Sequence, residues 1–170
     1  MADALIKAGA DVDKDTRDGY TPLHVAAHQG KVHVADALIK AGADVDKANN
    51  KDGHTPLYVA TRNGKVHVAD ALIKAGADVD KADKYGHTPL YVAAQQGMVR
   101  VADALVKAGA DVDKANEDGY TPLHVAARNG MVDVVDALIK AGVDVDKADK
   151  YVDTPLYVAA QKGKVHVADA

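Results

Sequence analysis

Two histidines in this sequence have the spacing of a zinc-binding pair. In the string His24-Val25-Ala26-Ala27-His28 they stand four residues apart, which would place both rings on one face of a helix. A zinc peptidase with this pattern needs glutamate directly after the first histidine, and Val25 is there instead. The motif histidine recurs as His124, with Arg128 in the place of His28, which favours a structural, hydrogen-bonded histidine. We therefore expect no metal site here.

The acidic string Asp11-Val12-Asp13-Lys14-Asp15 resembles the beginning of a calcium-binding loop. Such a loop requires glycine at its sixth position and glutamate at its twelfth. This chain has Thr16 and Pro22 at those positions. The string therefore predicts a solvated acidic turn and not a calcium site.

The remaining polar residues do not combine into a catalytic site. The chain contains no serine and no cysteine, and it has no glycine-rich phosphate loop. Its 25 acidic residues fall largely at equivalent positions of repeated strings. An acid–base pair needs two different environments that separate the two pKa values, and identical repeats supply identical environments. We expect a protein that is not an enzyme and that uses no cofactor.

The repetition itself is the strongest signal in the chain of 170 residues. A Thr-Pro-Leu-His/Tyr-Val-Ala string begins at Thr21, Thr55, Thr88, Thr121 and Thr154, at intervals of 34, 33, 33 and 33 residues. A fixed period of this size is typical of stacked supersecondary units that bury a thin continuous core between neighbours. Hydrophobic residues make up 48% and charged residues 27%, as in a folded protein of ordinary composition.

Each unit predicts two short helices followed by an extended finger. In the unit that starts at Thr21, threonine is a good N-cap, proline suits the first helical position, and Gly30 ends the helix. Val32, Ala35, Leu38 and Ile39 then form the apolar stripe of a second helix. Neither helix is long enough to be stable alone, so stability must come from stacking.

The strings Gly19-Tyr20-Thr21-Pro22-Leu23-His24-Val25-Ala26-Ala27 and Leu38-Ile39-Lys40-Ala41-Gly42-Ala43-Asp44-Val45 resemble the ankyrin repeat. The resemblance covers essentially the whole chain. It implies an all-α repeat solenoid, a curved stack of helix-turn-helix units with β-hairpin-like fingers. It also implies a protein–protein recognition module without catalysis or cofactor.

The repeat frame predicts a single array over residues 1–170. Its parts are a leading half-repeat and finger at 1–20, full repeats at 21–54, 55–87, 88–120 and 121–153, and a truncated terminal repeat at 154–170.

Neither end of the array carries the polar substitutions of a capping repeat. Leu5 and Ile6 match residues inside the array, and Val167-Ala168-Asp169-Ala170 stops within a second helix. Two interpretations follow: a fragment of a longer array, or end-to-end assembly in which a head-to-tail contact continues the solenoid between molecules. That contact is heterologous and gives open filaments unless it closes.

Two fingers depart from the pattern. One extra residue lies near Asn49-Asn50, and we expect a widened loop with left-handed asparagine to absorb it. Val152 stands where the other fingers have glycine. A β-branched residue with positive φ is strained, so we expect the last finger to be distorted or less ordered.

Residues that vary from unit to unit predict where a partner binds. They lie at the finger tips and at the end of each first helix, zones that the ankyrin resemblance places together on the concave face. Tyrosine and arginine are favoured at binding hot spots, and we expect the finger tyrosines to form a ladder. The predicted partner-binding residues are Tyr20, His28, Gln29, His54, Arg62, Asn63, Tyr85, His87, Gln95, Gln96, Tyr120, Arg128, Asn129, Tyr151, Gln161 and Lys162. Neutral drift on a solvated surface is the alternative explanation of the variation.

The leading hypothesis for function is a non-catalytic scaffold that binds a protein partner. The runner-up is a structural or self-assembling array, which the near-identity of the units favours and the varied finger tips do not. A net charge of −4 argues against a nucleic-acid binder, and no apolar stretch is long enough for a membrane span. We expect an intracellular, cytoplasmic location, although a chain without cysteine is equally compatible with a secreted domain.

Overall fold

The computed structural model describes residues 1–164 as ten helices in two layers. The inner layer contains the helices that begin at the Thr-Pro strings: α2 (Pro22–Gln29), α4 (Pro56–Arg62), α6 (Pro89–Gln96), α8 (Pro122–Asn129) and α10 (Pro155–Gln161). The outer layer contains α1 (Ala2–Lys7), α3 (Val32–Lys40), α5 (Val66–Lys74), α7 (Val99–Lys107) and α9 (Val132–Lys140). The second helix predicted to include Val167-Ala168-Asp169-Ala170 lies outside the described residues.

Each inner helix begins and ends for local reasons. The Thr21 side chain accepts a hydrogen bond from the backbone N–H of His24, and Pro22 occupies the first turn, where its missing N–H has no intrahelical partner. Gly30 ends α2 with a φ of 70°. The threonine cap recurs in α4, α6, α8 and α10, so the inner layer is a row of helices of nearly the same length.

Stacking of neighbouring units supplies the core. Inner helices pack on inner helices and outer on outer, and α2, α4, α6 and α8 each pack on the outer helix that follows. Each of these four complete pairs buries one leucine per helix, for example Leu57 on α4 and Leu72 on α5, which are both fully buried. The buried Ala60 leaves no bulk between the helices, so adjacent units approach closely. Truncating one such leucine to alanine would cost about 2–5 kcal/mol.

The Asp-Val-Asp-Lys loops join consecutive units through a ladder of hydrogen bonds. The carboxylate of Asp80 accepts the backbone N–H of Asp111 in the next unit at 3.1 Å. The Lys114 ammonium of that next unit donates to the carbonyl oxygen of Asp80 at 3.0 Å. The same pair of contacts links the other loops, through Asp13, Asp46 and Asp113. The acidic string that resembles a calcium loop is therefore the first rung of this ladder.

Residues 1–164 contain no β-strand, so the fingers are turns and not ladders of a sheet. Each finger closes on itself with two backbone hydrogen bonds, such as Asp83 N–H to His87 O at 3.0 Å and Gly86 N–H to Asp83 O at 3.1 Å. From the second finger on, a further bond ties each finger to the preceding one, such as Lys84 N–H to Asp52 O at 3.1 Å. The predicted all-helical solenoid is confirmed, with fingers shorter than the β-hairpins that the resemblance implied.

Candidate partner-binding face

A carboxylate or amide side chain organises the tip of each of the last four fingers, which are residues 49–54, 83–87, 116–120 and 149–153. In the finger 83–87, Asp83 Oδ1 accepts the backbone N–H groups of Tyr85 and His87 at 2.8 and 2.9 Å. Gly86 takes a φ of 80°, which closes the turn. Asn116 and Asp149 hold their own fingers in the same way. The tips are therefore rigid supports for the side chains that they carry.

The extra residue near Asn49-Asn50 is absorbed by a longer turn. In this finger the carbonyl of Asn49 accepts the N–H of Gly53, four residues on, whereas other fingers span three residues. Asn49 Oδ1 also accepts three backbone N–H groups instead of two. The widened loop is present, but the expected left-handed asparagine is wrong, because among residues 1–164 the only non-glycine with positive φ is Val152.

Val152 adopts the conformation of the glycines that it replaces, with a φ of 69°. The expected distortion of this finger is wrong. Asp149 Oδ1 accepts the N–H groups of Tyr151 and Asp153 at 2.7 and 3.0 Å, and the closing bond from Asp149 N–H to Asp153 O is 3.0 Å. The finger keeps its geometry, and the strain is borne by the valine backbone.

A tyrosine and a histidine pack together at the base of four fingers, in either order along the chain. Tyrosine comes first in the edge-on pairs and histidine first in the stacked pairs. The edge-on pairs are Tyr20–His24 and Tyr120–His124, with ring centroids 5.5 and 5.6 Å apart, and the stacked pairs are His54–Tyr58 and His87–Tyr91, at 4.1 and 4.5 Å. These residues therefore hold each finger against the inner helix that follows it.

The expected single ladder of tyrosines is consequently wrong. Tyr20 and Tyr120 stand directly before threonine and are half-buried against a histidine. Tyr85 and Tyr151 stand two residues earlier in their fingers and point to solvent, with Tyr85 59% exposed. The tyrosines form two separate rows, and only the second row is freely accessible.

Asp83 lies at the centre of a polar cluster between two fingers. Its Oδ2 accepts the Tyr58 hydroxyl at 3.0 Å and lies 3.1 Å from His87 Nδ1 and 3.8 Å from His54 Nε2. Burial alone would raise the pKa of Asp83, but the bonds from the His87 and Tyr85 amides and the Tyr58 hydroxyl outweigh it and lower the pKa. Burial raises the pKa of the Tyr58 phenol, and the adjacent Asp83 charge adds to this rise. Asp83 therefore stays ionised.

His24 forms hydrogen bonds through both of its ring nitrogens. Its Nδ1 accepts the Thr21 N–H at 3.1 Å, and its Nε2 lies 2.9 Å from the carbonyl of His54 in the next finger. Burial lowers the pKa of His24, so the ring is neutral at pH 7 and donates through Nε2. Burial also lowers the pKa of His54.

Two clefts open between the fingers and the inner helices. The first, of about 360 Å³, lies between fingers 16–20 and 49–54, and the second, of about 490 Å³, between fingers 49–54 and 83–87. They bring together many of the predicted partner-binding residues. Those in the first are Tyr20, His28, His54, Arg62 and Asn63, and those in the second are His54, Arg62, Tyr85, His87, Gln95 and Gln96.

The remaining predicted residues lie outside these two clefts. The Arg128 guanidinium lies 5.6 Å from the centre of the Tyr120 ring, and the Asn129 side chain donates to the Gln95 carbonyl at 3.0 Å. The others are exposed on the outermost units: Gln29, Tyr151, Gln161 and Lys162. The predicted residues thus form a row along the stack and not one pocket.

Sequence reasoning missed the residues that form the walls of the clefts. Val25, Val59 and Val92 stand at one equivalent position of the inner helices and line the clefts beside the polar groups, and Val59 and Val92 are themselves buried. Val25 is 48% exposed. Their position in the helix, four residues after the capping threonine and one turn before the helix-end residues, was the available signal. His54, by contrast, is only 7% exposed and contributes the floor of both clefts.

Two features of residues 1–164 bear on other functions. No group of three or more histidine, aspartate or glutamate side chains there is arranged to hold a metal ion. None of the helices in that part of the chain has the length and apolarity to cross a membrane.

Comparison with known proteins places the chain in a family. A search of curated proteins found no match. The family model that describes ankyrin repeats matches three times, over residues 1–83, 42–116 and 109–170. These matches span the whole chain and agree with the tandem helix pairs of the structure, so the chain belongs to the ankyrin repeat family.

Proposed function

We propose that this chain is a non-catalytic scaffold that binds a partner protein across its fingers and the ends of its inner helices. Ankyrin repeats generally mediate protein–protein interactions. The single observation that carries the proposal is that nine of the sixteen residues predicted from variation between units line the two clefts. The capping threonines and the leucine and alanine positions of the inner helices, which barely vary, are almost all buried in the stack.

The chemistry of this face suits recognition. Tyr85 and Arg62 offer large side chains on rigid supports, and their fixed backbone reduces the entropy lost on binding. Val25 adds exposed apolar area in the first cleft, as in the core of a protein interface. The polar residues around the clefts then form a solvated rim.

The test is a selection of binding peptides from a random library displayed on phage, followed by affinity measurement on variants. We expect Tyr85→Ala to weaken binding of the selected peptides by about 1–2 kcal/mol, the loss typical of a tyrosine hot spot. The free energy of unfolding should not change. His67→Ala, on the opposite face in α5, is the matched control and should change neither. Tyr120→Ala is a poorer probe, because Tyr120 also packs against His124 and Arg128.

Peptides that bind Tyr85→Ala as tightly as the unchanged protein, but lose affinity with His67→Ala, would contradict the proposed face. Failure to select any peptide that competes for this face would contradict the proposed function as a whole. A cytoplasmic location belongs to the same proposal, and a fluorescent fusion in cells checks it.

A second candidate function is self-assembly, favoured by apolar side chains exposed at both ends of the described stack. Leu5 in α1 is 60% exposed and Leu156 in α10 is 57% exposed. Val152 weighs against close stacking at the fingers. At Gly119, the equivalent position one unit earlier, an added Cβ would lie 2.8 Å from the backbone nitrogen of the next finger. Light scattering over a wide concentration range tests this candidate: growth that Leu156→Lys abolishes supports it, and a monomer at every concentration excludes it.

A further inference from the structure

The cleft between fingers 16–20 and 49–54 is lined by an arginine and by no carboxylate. None of the eight residues that line it is acidic, and they include Arg62 together with His28 and the floor residue His54. The second cleft shares Arg62 and His54 with the first, but Asp52 and Asp83 also line it. Among the residues that line each cleft, an acidic group of a ligand would therefore meet opposing carboxylates only in the second.

Arg62 is exposed and has no carboxylate within 4.0 Å among residues 1–164. Arg128 occupies the equivalent position two units later, but its guanidinium rests over the Tyr120 ring at 5.6 Å. The residue before the capping threonine is His54 in the case of Arg62 and Tyr120 in the case of Arg128. The His54 ring is stacked on Tyr58. Arg62 consequently lacks the aromatic platform that occupies Arg128, and its guanidinium remains available for a ligand.

The charges of the surrounding chain add to this asymmetry. The five inner helices contain no acidic residue, whereas every Asp-Val-Asp-Lys loop carries two aspartates for one lysine. The inner-helix ends are therefore the least negative part of a chain whose net charge is −4. A neutral His54 leaves Arg62 as the fixed positive charge of the cleft at pH 7.

We propose that this cleft binds an aspartate or glutamate side chain of the partner protein, with the Arg62 guanidinium pairing the carboxylate. Val25 and Tyr20 supply apolar contact for the methylene groups and the neighbouring residue of the partner. The inference rests on the proposed function and names the chemistry that one part of the same face selects. A nucleic acid is a poor fit, because one free arginine replaces few counterions and the acidic loops repel a polyanion.

The peptides selected for the proposed function also test this inference. We expect an acidic residue to be enriched at one position among peptides that compete for the face. Fluorescence anisotropy then follows the tightest of these peptides and its version with glutamine or asparagine at the enriched position. Arg62→Gln should weaken the acidic peptide about tenfold, as expected for the loss of a charge-assisted hydrogen bond, and should not weaken the neutral version.

The chain itself provides the matched controls. Glutamine is the natural residue at the positions equivalent to Arg62 in two other units, Gln95 and Gln161, so Arg62→Gln is compatible with the fold. Arg100→Gln makes the same change at an exposed arginine of the outer helix α7, away from the proposed face, and it should alter affinity by about twofold or less. A circular-dichroism melt of both variants checks that the fold is intact.

The outcomes separate the two proposals. Peptides that compete for the face without acidic enrichment, or that bind equally well to Arg62→Gln, overturn the carboxylate site and leave the proposed function standing. Absence of any competing peptide overturns both. A single-stranded oligodeoxynucleotide that binds as tightly as the acidic peptide, with the same loss in Arg62→Gln, also overturns the assignment to a carboxylate side chain.

Discussion

Replacing Val152 by glycine should stabilise the last unit of the array. Val152 holds a φ of 69°, and its side chain is 80% exposed, so the substitution removes strain and almost no packing. A left-handed backbone costs a residue with a Cβ about 1–2 kcal/mol, and the β-branched valine belongs at the upper end of that range. Glycine lowers the net gain in stability by about 0.5–1 kcal/mol, because it increases the conformational freedom of the unfolded chain. The expected net gain is about 1 kcal/mol.

Hydrogen exchange is the assay of choice, because stability in a repeat array is local. The amides of Asp153 and Val158 report on the last finger and on α10, since both are hydrogen-bonded within that unit. Their exchange should slow by about fivefold in Val152→Gly, which corresponds to about 1 kcal/mol. Val152→Ala keeps the positive φ and removes only the branching at Cβ, so it should recover a smaller part of the stability that Val152→Gly gains.

The reciprocal change one unit earlier should have the opposite sign. At Gly119 the φ is 86°, and an added Cβ would lie 2.8 Å from the Lys150 backbone nitrogen. Gly119→Ala therefore combines backbone strain with a clash and should destabilise the array by more than about 1 kcal/mol. Unchanged or faster exchange in Val152→Gly would refute the reasoning that the valine, and not the surrounding finger, bears the strain.

Three further predictions concern the polar contacts of the stack. Tyr58→Phe removes the hydroxyl that donates to Asp83, and urea denaturation should show a loss of about 1–2 kcal/mol. Asp80→Ala removes the acceptor of a ladder bond and should cost about 1 kcal/mol, with exchange fastest in the two units that the bond joins. The unfolded chain takes up protons near pH 6.5, whereas burial lowers the pKa of His24 and His54. Their contribution to stability is therefore present above about pH 6.5 and is lost as the pH falls through their folded-state pKa values. Denaturation midpoints between pH 7.5 and 5 check this, and His24→Tyr should flatten part of the decline.

The helical stack could be predicted from the sequence because each of its determinants is local and repeated. A capping threonine, a first-turn proline and a glycine stop are readable in the chain, and their recurrence multiplies the signal. Positive φ at Val152 followed from the four glycines at the same position. The intact geometry of that finger did not follow, because it rests on side-chain bonds from Asp149 to amides two and four residues on, which the pattern of glycines does not reveal.

The binding face was harder to predict, because accessibility depends on neighbouring side chains. Arg62 and Arg128 occupy equivalent positions and looked alike in the sequence. Their surroundings differ because histidine stands before one capping threonine and tyrosine before the other. The same exchange of tyrosine and histidine divides the expected tyrosine ladder into two rows. Contacts of this kind depend on the position of two side chains relative to each other, which only the structure gives.

The loop ladder gives the array a direction. In every rung the donors, a backbone amide and a lysine, belong to the later unit, and the acceptors on an aspartate belong to the earlier one. The contacts between fingers run the same way, from a later amide to an earlier carbonyl. In the loops and the finger backbones each unit therefore presents acceptors to its successor, whereas the His24 and Tyr58 side chains donate in the opposite sense, to the next finger. Coupling in such an array is between nearest neighbours. A ligand that strengthens the interface between two units should first make the unfolding of those two units more cooperative. Distant units should be affected only through the units that lie between.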